Sequence, residues 1–146
     1  MRKVTAVFDI GKTNKKFFLL DRDFKEVYKT YKIFDPIVDE DGFETEDLNA
    51  VTTWALKTLS DSLESKKYKI KKVNFSTYGA SLVHIDKEGY PVTPLYNYVK
   101  PISEEVVDHF TSKYGDISAQ TASPDINFLS SGLQLYWIKH FKPEIF

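Results

Sequence analysis

Apolar residues gather in two short runs at the start of the chain. Val4, Ala6, Val7, Phe8 and Ile10 make the first, and Phe17 to Leu20 the second. Both are rich in β-branched or aromatic side chains and too short for a helix, so they predict two buried strands. Asp21-Arg22-Asp23 reads as a turn, and Phe24 to Phe34 alternates well enough to predict a third strand antiparallel to the second. Asp35 to Asp47 is acidic and carries Pro36 and Gly42, which predicts a solvated connection; its carboxylates lack the spacing of a calcium loop. Leu48, Val51, Ala55, Leu56, Leu59 and Leu63 recur at three-four spacing and predict a helix from about Glu46 to Glu64, opened by Thr45. Lys66 to Lys72 reads as a charged edge leading into a strand at Val73 to Ser76. Leu82 to Ile85 predicts a strand, Asp86 to Gly89 a hairpin turn, and Tyr90 to Val99 an extended, proline-marked segment. Ser103 with Glu104 and Glu105 opens a helix to about Lys113, and Asn127 to Phe141 predicts another, apolar at Leu129, Leu133, Leu135, Tyr136 and Ile138. This order of elements is that of an α/β fold with a mixed sheet and flanking helices.

Composition narrows the class. The chain has 146 residues, enough for one domain with its own core, and its 11 Phe, 9 Tyr and 2 Trp mark a globular protein. A net charge of −1 argues against a general nucleic-acid binder. There is no cysteine, so neither a disulfide framework nor a thiolate metal site exists. No apolar run is long enough to span a bilayer or to serve as a signal peptide, and a cytoplasmic location is expected, with no membrane partner.

The candidate chemistry lies in the turn between the first two strands, Gly11-Lys12-Thr13-Asn14-Lys15, with Asp9 at the end of the first strand. A glycine able to take positive φ, a hydroxyl and an amide can shape such a turn so that several N–H groups converge on one anion. This suits a nucleoside triphosphate with a divalent metal: Asp9 as a hard oxygen ligand for Mg²⁺, Gly11 for close approach, Thr13 donating to phosphate and Lys16 supplying charge. The same residue types also make ordinary hairpin turns. The turn is neither a P-loop nor a Rossmann loop, since the glycine that a P-loop carries five residues before Gly11 is missing and no GxGxxG opens a helix.

The run Asp9 to Lys16 resembles the first phosphate motif of the actin, hexokinase and Hsp70 superfamily, Asp-x-Gly-x-Thr. Within that superfamily the whole chain resembles the start of an FGGY carbohydrate kinase. Ser76-Thr77-Tyr78-Gly79-Ala80-Ser81 followed by Gly89-Tyr90-Pro91 is similar to the family's substrate-contacting segment, with Thr77 to Ser81 closest in form to rhamnulokinase-like members. Tyr96-Asn97-Tyr98-Val99-Lys100 stands at the family's Trp-Asn-Asp-x-Arg, and Gly132 to Lys139 with Pro143-Glu144 resembles its next helix. Ser81 replaces an acidic residue, Tyr98 an Asp and Lys100 an Arg, which removes a bidentate fork.

The resemblance implies a ribonuclease H-like, actin-like ATPase fold. It implies ATP and Mg²⁺ held by Asp9, Gly11, Thr13, Asn14 and Lys16, and a sugar held by Tyr78, Gly79, Ser81 and Asn97. The expected partners are a sugar and ATP, with a homodimer left open. Residues 1–146 are expected to be the N-terminal portion of the first kinase domain, because Pro143-Glu144 reads as the start of a further helix; the second domain and the catalytic base are expected elsewhere. The competing expectation is a non-catalytic actin-like nucleotide-binding or sugar-sensing module.

Overall fold

The computed structural model describes residues 1–123 and 127–146. Its elements run β1 (Arg2–Ile10), β2 (Lys15–Leu20), β3 (Glu26–Lys32), β4 (Ile37–Val38), β5 (Glu44–Thr45), α1 (Leu48–Glu64), β6 (Tyr68–Thr77), α2 (Glu104–Tyr114) and α3 (Ser118–Thr121). A 3₁₀ turn (Asn127–Leu129) and α4 (Ser131–Phe141) follow. The chain divides into two compact units, Met1–Pro36 with Glu46–Tyr78, and Ile37–Thr45 with Gly79–Phe146, where one core was expected.

The first unit is a four-stranded mixed sheet of order β3-β2-β1-β6. β1, β2 and β3 form the predicted antiparallel meander, and β6 lies parallel to β1. Because side chains alternate across a strand, Val4, Ala6 and Phe8 of β1 and Phe17 and Leu19 of β2 all turn to one face and are buried there. Trp54, Ala55 and Leu59 of α1 close over that face, and the Phe8 ring stacks on Phe75 and meets Phe17 and Trp54 at its edge. Leu56 and Leu63, expected on the packed face of α1, are instead 65% and 59% exposed, so only a narrow stripe of this helix packs.

Several local expectations are corrected. Phe24 does not open β3; it sits at φ 58 in the Asp21 turn and is exposed, because Asp21 Oδ1 accepts the N–H groups of Asp23 and Lys25 and tightens the chain there. The cap of α1 is Asp47, whose carboxylate accepts from the Ala50 N–H at 2.9 Å, while the Thr45 hydroxyl bonds the Leu95 carbonyl. The strand expected from Val73 begins at Tyr68, so much of the basic run lies within β6.

In the second unit, Tyr96, Phe128 and Ile138 form the core with Ile102, Trp137 and Ile145 against them. The Asp35–Asp47 segment is the projecting, mostly exposed turn expected of it, with Asp39 and Thr45 buried. β4 and β5 pair across it, and the buried Asp39 carboxylate accepts from the Asp41 and Phe43 N–H groups inside the turn. Leu82–Ile85 forms no strand; the chain there makes only a single bridge, Ile85 to Pro91, around the predicted Asp86–Gly89 turn. The last predicted helix starts as a 3₁₀ turn and becomes α-helical only after Ser130, whose hydroxyl caps Leu133. On α4 Leu135 is exposed and Gln134 is buried, the reverse of their polarity. Among the described residues no helix is long and apolar enough to cross a membrane.

Candidate functional site

The predicted phosphate turn is a tight connection between β1 and β2. Ile10 pairs with Lys15 and Asp9 with Lys16, and the Gly11 N–H donates to the Asn14 carbonyl at 3.1 Å. Gly11 is required for a different reason from the expected one. Its φ is not positive; a Cβ there would lie 2.9 Å from the Asn14 carbonyl oxygen, closer than real contacts allow. Any side chain would push the turn open.

Alternation then sorts the two lysines. Lys16 faces outward beside its register partner Asp9, with Nζ 3.3 Å from Oδ2 and each side chain about 40% exposed. Lys15 turns inward on the same face as Phe17 and is 2% exposed. There it donates to the Lys12 carbonyl at 2.8 Å and pairs with Glu46 at 2.6 Å, ahead of α1. Sequence reasoning missed Lys15, because Phe17 to Leu20 is apolar at every position and does not reveal which parity turns inward. The turn is therefore pinned from behind by a buried ion pair, while Asp9 and Lys16 present one negative and one positive group at its front.

Among the described residues no cluster of three acidic or histidine side chains forms a resident metal site. A single half-exposed carboxylate fits a magnesium ion that keeps water and takes its remaining oxygens from a bound polyphosphate, which is how that ion is commonly held.

The β6 strand carries Ser76 beside Asp9 and Thr77 beside Ile10 in register, and the Tyr78 N–H donates to the Ile10 carbonyl, so Tyr78 ends the first unit at the level of the turn. Gly79, Ala80 and Ser81 belong to the second unit. Ala80 holds φ 67, a left-handed conformation uncommon for a residue with a Cβ, and Gly79 has open space where a side chain would be.

Asn97 lies in the second unit, where its Nδ2 donates to the Glu44 carbonyl and its Oδ1 accepts from the Val99 N–H. It ties the 95–100 segment to β5. Lys100 does the same job with charge. Its ammonium is 7% exposed and bonds Asp39 at 2.6 Å and Asp41 at 2.5 Å, with Tyr96 and Trp137 rings close by. Burial would lower the Lys100 pKa, but the two carboxylates hold it above its ordinary value. Burial likewise opposes ionisation of Asp39, and the Lys100, Phe43 and Asp41 donors outweigh it and depress its pKa. Glu40 is depressed to about 2: burial raises it, and hydrogen bonds from Lys142 and the Tyr96 hydroxyl pull it further down. Where the resemblance implies an arginine fork, Lys100 instead shares one ammonium between two carboxylates.

Residues 4–146 match the N-terminal domain of the FGGY family of carbohydrate kinases. No curated protein matches the chain in sequence. Among solved structures it is similar to a carbohydrate kinase from Novosphingobium aromaticivorans, with TM-score 0.81 and 25% identity over 99% of this chain and 29% of that one. It is similar in fold to a gluconate kinase from Lactobacillus acidophilus, with TM-score 0.78 and 20% identity over 100% of this chain and 30% of that one. It is also similar in fold to an ADP-bound glycerol kinase from Plasmodium falciparum, with TM-score 0.68 and 23% identity over 99% and 30% of the two chains. The chain therefore spans about 30% of the length of these structures.

Proposed function

From the premise that the chain belongs to the FGGY family of carbohydrate kinases, we propose that the full-length protein transfers the γ-phosphoryl group of ATP to a hydroxyl of a ketose or polyol. Residues 1–146 then form the N-terminal portion of the first of two kinase domains, supplying the first phosphate-binding hairpin and part of the sugar site. The observation that carries this reading is the turn itself: a sterically obligatory Gly11 between Asp9 and Lys16, braced from the core by Lys15.

Phosphoryl transfer asks a protein chiefly for positioning and charge neutralisation. ATP would supply the transferred group, and a bound Mg²⁺ would neutralise part of its charge. Asp9 would hold the metal, Thr13 and Asn14 would donate to phosphate oxygens, and Lys16 would offset charge that develops on them. The Gly11 N–H takes no part in phosphate binding, since it closes the turn. Tyr78, Gly79, Ser81 and Asn97 hold the sugar, with Ser81 supplying a neutral hydroxyl where rhamnulokinase-like members, the branch we place nearest, carry an acidic group. The general base lies on the remainder of the protein. Among the described residues, Asp39 and Asp41 are engaged by Lys100, Glu40 by Lys142 and Asp86 inside a turn, while Glu104 and Glu105 stand in the first turn of α2. The chain alone is accordingly expected to be inactive.

The test is coupled ADP release by the full-length protein against a panel of ketoses, aldoses and polyols. One sugar or a related group should stimulate turnover. Sugar-independent ATP hydrolysis across the whole panel would sink the proposal.

A further inference from the structure

The β4–β5 hairpin has little within itself to hold it. It pairs only Ile37 with Thr45 and Val38 with Glu44, and both Ile37 and Val38 are exposed. An isolated two-stranded hairpin is marginal in water. Residues 96–100 are no more self-sufficient: they lie outside the strands and helices, in a turn closed by the Lys100 N–H on the Asn97 carbonyl at 2.9 Å. Each segment is fixed by the other. Resting on the kinase reading above, in which Asn97 holds the sugar, we propose that the hairpin is a clasp that sets where Asn97 stands, and that Lys100 and Asp39 are positioning residues for sugar binding.

The clasp is built from contacts of fixed direction. The Thr45 hydroxyl donates to the Leu95 carbonyl, the Tyr96 hydroxyl to Glu40 at 2.5 Å, and the Asn97 Nδ2 to the Glu44 carbonyl at 3.0 Å. The Lys100 ammonium donates to Asp39 at 2.6 Å and to Asp41 at 2.5 Å. Asn97 is oriented from both ends, since its Oδ1 accepts from the Val99 N–H at 3.2 Å. Lys142, just past α4, bonds the same Glu40. Its ammonium and that of Lys100 both stand over the Tyr96 and Trp137 rings, so the tip of the hairpin is tied to the end of α4 as well.

Stability alone does not call for charge here. Desolvating a buried ammonium and carboxylate offsets most of their attraction, and apolar side chains of similar volume commonly hold a core as well or better. Lys100 and Asp39 are nonetheless both buried. What they add is a single position. Asp39 is held in its turn by the Asp41 and Phe43 N–H groups, and an ammonium shared between Asp39 and Asp41 has one place to sit. A binding group misplaced by about 1 Å can cost about a hundredfold in rate, so a turn outside regular structure that carries a substrate contact needs such a fixture.

The experiment is steady-state kinetics of the full-length protein with the sugar that stimulates it most. Lys100→Met should raise the KM for that sugar about tenfold or more and leave the KM for Mg²⁺–ATP within about twofold. Lys87→Met, at an exposed lysine, should leave both within about twofold. Asp39→Asn/Lys100→Met should be no worse than Lys100→Met, because the two residues act as one unit. Hydrogen exchange in Lys100→Met should quicken in the peptide spanning 95–100 and not in Gly11 to Lys16. If it quickens throughout, Thr45→Val, which removes only the bond to the Leu95 carbonyl, takes its place with the sugar KM expected to rise about threefold. A stimulated wild type whose variants leave the sugar KM unaltered, or raise both KM values equally, would overturn this proposal alone. A wild type that no sugar stimulates would overturn the kinase reading and this proposal with it.

Discussion

Replacing Lys15 with methionine preserves volume and removes only the charge and its donors, so it isolates what the buried ion pair does. Lys15 is 2% exposed and its partner Glu46 is 17% exposed. Breaking a fully buried pair by removing one partner costs about 3–5 kcal/mol, because the other charge is left behind. Glu46 retains a path to water, which discounts that figure to roughly 2 kcal/mol, and loss of the bond to the Lys12 carbonyl adds about 1 kcal/mol. The expected destabilisation is therefore about 3 kcal/mol, or roughly 6–12 °C in Tm for a chain of this length. Glu46→Gln in the same background should restore about half of it, since the orphaned charge is gone, and the double-mutant cycle gives the coupling. Urea unfolding followed by far-UV circular dichroism measures all four proteins. In the full-length protein the same change should raise the KM for Mg²⁺–ATP more than that for the sugar, because the Lys12 carbonyl no longer has its tether. A loss below about 1 kcal/mol, or a Glu46→Gln change that rescues nothing, would refute the reasoning that this pair braces the turn.

Asp9→Asn in the full-length protein should lower kcat by roughly 2–4 kcal/mol of transition-state stabilisation with little effect on the sugar KM, as steady-state kinetics would show. Ser81→Ala should cost about 1–3 kcal/mol in kcat/KM for the true sugar and leave the KM for ATP nearly unchanged; equal effects on both substrates would indicate a folding defect instead. Ala80→Gly relieves the left-handed backbone and should stabilise by roughly 0.5–1 kcal/mol, read as a rise in Tm. Glu40 and Asp39 have depressed pKa values, so the stability they add is complete above their ordinary range and is lost as pH falls, for Glu40 between about pH 4.5 and 2. Urea midpoints should fall across that window in the wild type, while in Lys100→Met acidification should recover stability by protonating the orphaned Asp39.

The meander was legible because β1 and β2 are short apolar runs rich in β-branched or aromatic residues, whereas the parity that turns Lys15 inward and Lys16 outward is visible only in the structure, since Phe17 to Leu20 is apolar throughout. β6 was half hidden. It is an edge strand exposed on much of both faces, so its lysines are compatible with strand geometry and dilute the apolar signal. The Leu82–Ile85 run has strand composition, but its only cross-chain support is one bridge to Pro91. The acidic segment was legible as a turn but not in the burial of Asp39, which is paired with Lys100, 61 residues further on, and no local pattern encodes that pairing. At the candidate site, the residue types around Gly11 were readable from spacing, whereas the steric need for glycine depends on where the Asn14 carbonyl arrives.

The exposed edge of β6 sets the order and the hazard of folding. β1, β2 and β3 close through short turns, so their contacts form early; β6 reaches β1 only after a loop of more than fifty residues has closed, which is slower. During that interval Val73 to Thr77 is a run without charge, and within residues 1–146 Val73 and Phe75 are 41% and 55% exposed. Such a segment templates pairing with other chains. The lysines just before it act as gatekeepers at one end only, so aggregates of residues 1–146 taken alone should nucleate at the Val73–Thr77 half, and their expression yield should respond to a charge placed at Asn74 more than to any change in the core.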